Sequence, residues 1–366
     1  MALADAGTPL IWAKGFHILL GNLLLGAVEA LIISLIFRLQ FKKCLISLVC
    51  ANYFSAWIGF YIIGYLRELR DPDIYTVMHL TRQLIILSYF LTLVLEWPFI
   101  MYCIRKVKLW FIKSIAASII VQTVTYVALF GGYRLCSVLN LYDDFTIVPP
   151  SEIVFPEGIA MYYISCSDGN VYLYKPSQES DTLIYTLDSS DIEDHLVLLK
   201  SDSTKQWDLS VSNEYHTHRN AKIILPSICE SLSEDMTYYA NSYDDWNAAP
   251  KVGEAANSSW QFCTSHWAGF GFWGNNKATN ERIRVAFETP VSGWRPKRVI
   301  HLPEEKIIFQ LGDKQICILD IDSKRIALLI RGYGPMAINI NDMPNKGILE
   351  TARARSRLQS PNVKSQ

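Results

Sequence analysis

Four apolar segments in the first 145 residues each contain a polar side chain that a lipid-facing helix does not tolerate. These residues are Glu29, Asn52, Glu96 and Gln122. An ionisable group inside a bilayer costs about 3 kcal/mol or more, so it normally faces the interior of a helix bundle and pairs there. We therefore expect the four side chains to meet inside one bundle.

Three of these residues lie at one depth. Glu29, Asn52 and Glu96 are each eight residues from the end of the apolar segment that adjoins a basic loop. At a rise of 1.5 Å per residue, each lies about 12 Å into the membrane. Asn22 precedes Glu29 by one heptad and extends the same polar stripe. Amides and small residues on such stripes let helices approach and hydrogen-bond, so we predict an intramembrane polar layer.

Two interpretations of this layer remain open. Two buried carboxyl groups cannot both ionise without a counter-charge, and no Lys, Arg or His shares their depth. The layer is either a structural lock with protonated carboxyl groups, which we favour, or a proton or cation site. A di-iron centre is not indicated because the helices contain no Glu-x-x-His sequence. We expect no metal and no other cofactor.

The elements that position these residues are four predicted transmembrane helices, at 15–37, 44–66, 83–104 and 109–133. Each reaches the roughly 20 residues that a membrane span requires. The first is too long for the apolar core of a signal peptide and lacks a cleavage site, so we expect it to be retained.

Two loops between these helices carry only basic charges: Arg38, Lys42 and Lys43 in one, and Arg105, Lys106 and Lys108 in the other. Basic loops stay in the cytoplasm. We therefore expect the N-terminus and everything after Tyr142 to lie outside the cytoplasm.

The composition changes after this bundle. Residues 1–145 contain 12 Lys or Arg and 8 Asp or Glu, whereas residues 146–341 contain 17 and 25. Nucleic-acid binding needs clustered basic residues, so the acidic second part argues against that class of partner. Residues 342–366 are polar and basic, and we expect them to form a disordered tail.

Residues 146–341 are predicted to form a β-rich domain. Short alternating runs are separated by turn signals such as Asp168-Gly169-Asn170. The runs are 161–165, 171–175, 182–187, 195–200, 207–211, 221–225, 282–287, 306–311, 315–321 and 325–330. Residues 162–175 and 306–330 resemble hairpins of β-propeller blades, and a β-sandwich remains an alternative.

The segment from Cys229 to Asn280 interrupts this pattern with aromatic and Gly- or Asn-rich sequence. Four of its aromatic residues are candidates for binding a partner: Trp260, Trp267, Phe270 and Trp273. Gly269, Gly271 and Gly274 spell G-x-G-x-x-G, but a dinucleotide fingerprint needs a strand before it and a helix after it, and neither is predicted. A metal site at His216 and His218 lacks a third ligand.

The second part contains Cys166, Cys229, Cys263 and Cys317, which could form disulfides outside the cytoplasm in any of three pairings. A bridge between Cys229 and Cys263 would close the aromatic segment. Buried thiols are the alternative.

The run Gly21-Asn22 followed by Glu29, the run ANYFSAW from Ala51 and the run LEWPF from Leu95 resemble uncharacterised bacterial multi-pass membrane proteins of planctomycete type. The resemblance covers residues 8–140. It implies a bundle followed by a variable outer domain, and it implies no activity.

Taken with the bundle, these features favour a non-enzymatic protein of a bacterial inner membrane. It would display a β-rich binding or scaffolding domain outside the cytoplasm, with the lipid bilayer and an envelope protein as partners. The alternative is a small proton- or cation-coupled transport module that uses Glu29 and Glu96. Sequences of a nucleophile elbow, a zinc protease or a P-loop do not occur.

Overall fold

The computed structural model describes residues 8–176, 181–201, 206–213, 221–230, 248–265 and 269–343. The chain forms two units. The first, which is helical, comprises the chain to Leu139 together with Glu288–Gly293. The second, which is rich in β-strands, comprises Asn140–Phe287 and the chain from Trp294 onward. The division therefore falls a few residues before Phe145. Residues 344–366, where a disordered tail is predicted, lie outside the described residues.

Within the described residues, four helices are long and apolar enough to cross a membrane, as predicted. The first runs through α1 (Pro9–Phe16), a π-helical turn (His17–Gly21) and α2 (Asn22–Phe37); α3 (Phe41–Arg70), α4 (Val77–Ile104) and α5 (Trp110–Cys136) follow. Several helices extend past the predicted spans because helical hydrogen bonding continues beyond the apolar residues. Thr8 caps α1 by accepting a hydrogen bond from the Ile11 amide.

The surface of the helical unit is apolar, as a lipid-facing surface must be. Leu19, Leu35, Val94 and Val127 are each about two thirds or more exposed, although each lies within an apolar helical span. In water this arrangement would be unfavourable, because apolar surface is normally removed from water. The exposed apolar residues therefore mark the faces that contact lipid.

Small residues let the helices approach each other. A Cβ atom added to Gly26 would lie 2.7 Å from the Cα atom of Val49, so α2 and α3 are in backbone contact there. Such contacts replace the hydrophobic driving force that is missing between helices in lipid.

The segment Glu288–Gly293 belongs to the helical unit through specific contacts. Glu288 pairs with Val138 in an antiparallel bridge, with both N–O distances below 3 Å. The hydroxyl of Thr8 donates a 2.9 Å hydrogen bond to the Glu288 carboxylate.

The β-rich unit begins with the short helix α6 (Asn140–Asp143). Its strands are β1 (Thr146–Ile147), β2 (Ile159–Ser165), β3 (Val171–Tyr174), β4 (Thr182–Tyr185), β5 (His195–Lys200), β6 (Trp207–Ser212), β7 (Lys222–Cys229), β8 (Trp260–Thr264), β9 (Phe272–Asn276), β10 (Arg282–Val285), β11 (Phe287–Glu288), β12 (Gly293–Trp294), β13 (Pro296–Leu302), β14 (Lys306–Leu311), β15 (Gln315–Asp320) and β16 (Arg325–Asn339). Strands β11 and β12 each have one residue in the segment Glu288–Gly293 of the helical unit. The strands that the sequence predicts are present.

One eight-stranded sheet organises this unit. Its order is β13-β14-β15-β16-β2-β3-β4, with β1 parallel to β16. The 15-residue strand β16 pairs with β15 over Arg325–Arg331 and with β2 over Gly332–Asn339, and a register shift follows Tyr333. Such irregularities bend a strand, so the sheet is curled. Sheets β5-β6-β7 and β10-β9-β8 complete the described part of the unit, together with the hairpin β11-β12.

The two stretches that resemble propeller blades lie in this single sheet. Residues 162–175 form β2 and β3, residues 306–330 lie in β14, β15 and β16, and β16 pairs directly with β2. In a propeller they would belong to separate sheets around an axis. The unit is β-rich as predicted, and within its described residues these two stretches do not form separate four-stranded blades.

Candidate functional site

The structure brings the four intramembrane polar residues together in the middle of the helical unit. Glu29 on α2 accepts a hydrogen bond from the Asn52 amide on α3 at 2.6 Å and one from the Gln122 amide on α5 at 3.3 Å. Gln122 also donates to Glu96 on α4. All four side chains are at most 6% exposed. Each spanning helix therefore contributes a side chain to one polar layer.

Ser55 is a further member of the layer, which the sequence analysis did not assign to it. Its hydroxyl donates to the second carboxyl oxygen of Glu96, and it lies one turn from Asn52 on α3. The hydrogen-bond partners of both carboxyl groups are thus neutral amides and a hydroxyl. The spacing of Asn52 and Ser55 on one helix face is the signal that points to this role.

Asn22, in contrast, does not reach the carboxyl groups. Its amide donates to the Ile18 carbonyl oxygen at 3.4 Å, and its side chain is buried. It lines a cavity of about 200 Å³ in the helical unit, together with His17, Tyr133 and Ser55. His17 Nδ1 and the Tyr133 hydroxyl are 2.7 Å apart. The cavity therefore extends from the layer toward the end of the bundle where α1 begins and α5 ends.

On the opposite side of the layer the bundle is filled with apolar side chains. Ile33, Leu48 and Ile100 lie four residues from Glu29, Asn52 and Glu96 respectively, and all three are completely buried. Val121 and Ala117 of α5 join the same cluster. The two sides of the layer differ, since one has a cavity with polar groups and the other is closely packed.

The four predicted disulfide cysteines are thiols in the structure. Cys229 in β7 lies opposite Trp207, and Cys263 in β8 lies opposite Trp273. Cys317 lies between Phe309 and Leu328 of its neighbouring strands, and the sulfur of Cys166 is 3.9 Å from the Lys314 carbonyl oxygen. Because these neighbours are not cysteines, the predicted bridge between Cys229 and Cys263 is not formed.

The predicted partner-binding aromatic residues have different environments. Trp260 is 3% exposed and stacks on Phe262 with 5.6 Å between ring centroids, so it is a core residue rather than a binding residue. Phe270 and Trp273 are partly exposed. Trp267 lies outside the described residues, as do His216 and His218.

The glycine pattern has a structural explanation. Gly271 has a positive φ of 65°, and a Cβ atom there would lie 1.9 Å from the Val285 carbonyl oxygen. A Cβ atom on Gly274 would lie 2.2 Å from the Phe262 ring. These glycines permit close packing of β-strands. The expectation that no strand precedes the pattern is wrong, because β8 (Trp260–Thr264) does, and the residues after Gly271 form strand β9 and not a helix.

Trp273 belongs to a second candidate site, in the β-rich unit. It lines a pocket of about 620 Å³ with Asn275 of β9, Arg282 and Arg284 of β10, and Lys324. Sequence reasoning selected only the tryptophan. The other lining residues could have been found from the alternation of side chains along a strand. Trp273 and Asn275 lie on one face of β9, and Arg282 and Arg284 lie on one face of β10.

No protein-family model, curated protein or solved structure matches this chain. In the described part of the chain, no cluster of three or more His, Cys, Asp or Glu residues has the arrangement of a metal site.

Proposed function

We propose that this protein is a multi-pass anchor of a bacterial inner membrane that presents its β-rich unit outside the cytoplasm for binding or scaffolding. The observation that carries the proposal is the polar layer. Its two carboxyl groups are bonded to neutral donors, which is what a static lock between helices requires. A bundle locked in this way serves as a rigid anchor.

The orientation is part of the same proposal. Two groups of basic residues lie where consecutive spanning helices are joined and favour a cytoplasmic location for that end: Arg38 with Lys42 and Lys43 at the start of α3, and Arg105, Lys106 and Lys108 between α4 and α5. The resemblance of residues 8–140 to planctomycete-type proteins supports a bacterial membrane. The partly exposed Trp273 and its cationic neighbours support a binding role for the β-rich unit.

The binding role can be tested in cells with the full chain. A photo-crosslinking amino acid is placed at Glu157, Lys277 or Glu281, which are exposed in the β-rich unit, and at lipid-exposed Leu35 as a control. We expect a discrete crosslinked product of an envelope component from at least one β-unit position and none of that product from Leu35. Absence of any specific product from all three β-unit positions would contradict the binding role.

A second function is favoured by the one-sided cavity. Because the cavity reaches Ser55, which donates to Glu96, a proton or cation could exchange with the carboxyl pair from that side. The protein would then be a small coupled transport module. Flux in reconstituted vesicles under a pH or cation gradient, abolished by Glu96→Gln, would support this function. No flux in wild-type vesicles would exclude it.

A further inference from the structure

The hairpin β9–β10 presents four side chains on one face. Arg282 lies directly opposite Asn275, and Arg284 lies directly opposite Trp273. The alternate residues Phe272, Ile283 and Val285 are buried in the core. The exposed face is thus a square of one indole, one amide and two guanidinium groups on a supported hairpin.

Arg284 is fixed in this square by the loop that precedes β9. Its Nε atom donates to the Phe270 carbonyl oxygen at 3.2 Å, and its terminal nitrogen donates to the Gly269 carbonyl oxygen. Arg284 therefore supplies positive charge in a fixed position beside Trp273. A ligand would meet this charge without a further ordering step.

Arg282 and Asn275 differ from Arg284 because their side chains have no polar partner within the described residues. Lys324, at the rim of the pocket, is 3.5 Å from Glu281, and both side chains are about half exposed. Asp144, the acidic lining residue, accepts a 2.7 Å hydrogen bond from Asn140. The lining thus contains three cations and one carboxylate, and after Lys324 is paired with Glu281 two guanidinium groups face one carboxylate in a region of the chain that is otherwise acidic.

We propose that this pocket binds an acidic saccharide, with a sugar ring against Trp273, its carboxylate on Arg282 and a hydroxyl group on Asn275. This inference rests on the proposed binding role of the β-rich unit and names its ligand class. A guanidinium group binds a carboxylate through two parallel hydrogen bonds. An indole offers a flat apolar face beside polar groups, and an amide can both donate to and accept from hydroxyl groups. The volume of about 620 Å³ lies within the range of small-molecule sites.

The test uses the purified full-length protein and tetragalacturonate, with its fully methyl-esterified form as the uncharged control. Titration calorimetry should show that the acid binds and that the ester binds about tenfold more weakly or worse, since the charge-assisted bond is lost. Arg282→Gln should weaken binding of the acid by a similar factor. Lys277→Gln removes an exposed cation of the same hairpin that does not line the pocket, and should leave binding unchanged.

Three results would overturn the inference: no binding of the acid, equal binding of acid and ester, or undiminished binding by Arg282→Gln. Binding of phosphatidylglycerol vesicles to the pocket in place of the saccharide, lost in Arg282→Gln, would assign it to a lipid headgroup. A crosslinked envelope component without saccharide binding would leave the proposed function standing and reject only this ligand class.

Discussion

The Asn52 amide donates a 2.6 Å hydrogen bond to the Glu29 carboxyl group, and this bond joins α2 to α3 at the centre of the bundle. If it belongs to a structural lock, Glu29→Gln should keep the protein folded, because an amide is nearly isosteric with a protonated carboxyl group and can also donate. Glu29→Leu should lower the free energy of unfolding by about 1–2 kcal/mol for each interhelical hydrogen bond lost. Thermal unfolding in detergent measures both variants.

A matched control comes from the lipid-facing side of α5. Thr123 is exposed and lies next to Gln122, and its hydroxyl is 2.9 Å from the Tyr89 hydroxyl on α4, so Thr123→Leu removes one exposed interhelical hydrogen bond outside the layer, whereas Glu29→Leu removes two buried ones. It should change stability less than Glu29→Leu. Equal effects of the two Leu variants would contradict the lock.

Coupling between the two carboxyl groups gives a further prediction. Gln122 donates to both Glu29 and Glu96, so the groups share one partner. The double variant Glu29→Leu/Glu96→Leu should therefore lose less stability than the sum of the two single variants. A double-mutant cycle measures this difference, and strict additivity would argue against a shared network.

The β-rich unit should lose stability in mild acid because of His301. This side chain is completely buried, and its Nε2 atom is 3.0 Å from the Glu305 carboxylate. Burial lowers the pKa of His301 from 6.5 to about 4, against the opposing effect of Glu305. The unfolded chain therefore binds a proton more tightly than the folded one. Stability is full above pH 6.5 and falls as the pH drops toward 4, by about 3 kcal/mol in total.

Chemical unfolding at pH 7 and pH 4, followed by tryptophan fluorescence, measures this loss. The variant His301→Gln should show a smaller decrease between the two pH values than wild type. His79→Gln, which changes an exposed histidine of α4, should behave like wild type. Parallel decreases for wild type and His301→Gln would show that another group is responsible.

The cysteines give a direct chemical prediction. Because all eight are thiols in the structure, denaturation without reductant followed by alkylation should modify eight sites. Cys229 and Cys317 are completely buried and should react only after unfolding. A modified mass that corresponds to six sites would reveal a disulfide and restore the sequence-based prediction.

The helical unit was largely predictable from sequence because the bilayer imposes simple rules. A polar side chain in an apolar helix needs a hydrogen-bond partner inside the bundle, and the common depth of Glu29, Asn52 and Glu96 indicated that these side chains lie in one layer. The cavity beside Asn22 was not predictable, because it depends on how the helices pack above the layer and not on any single residue.

The β-rich unit was predictable in its strands and not in its sheet order. Period-two alternation identifies a strand such as β14, whereas the pairing of β16 with β2 joins segments far apart in the chain. Strands β8 and β9 were missed because they lie in the aromatic segment that interrupts the alternating pattern. In β9, Gly274, Asn275 and Asn276 also have low β-propensity, which packing against Phe262 overrides. The strand pairing also places Cys229 opposite Trp207 and Cys263 opposite Trp273, rather than opposite another cysteine.

The orientation of the chain in the membrane tests the central proposal most directly. A reporter that is active only in the cytoplasm is fused after Gln366 in one strain and inserted within residues 41–43 in another, and its activity is compared at equal protein levels. The proposed anchor, with its β-rich unit outside the cytoplasm, predicts an inactive fusion after Gln366 and an active insertion at 41–43. An active fusion after Gln366 with an inactive insertion would place the β-rich unit in the cytoplasm and contradict the proposal.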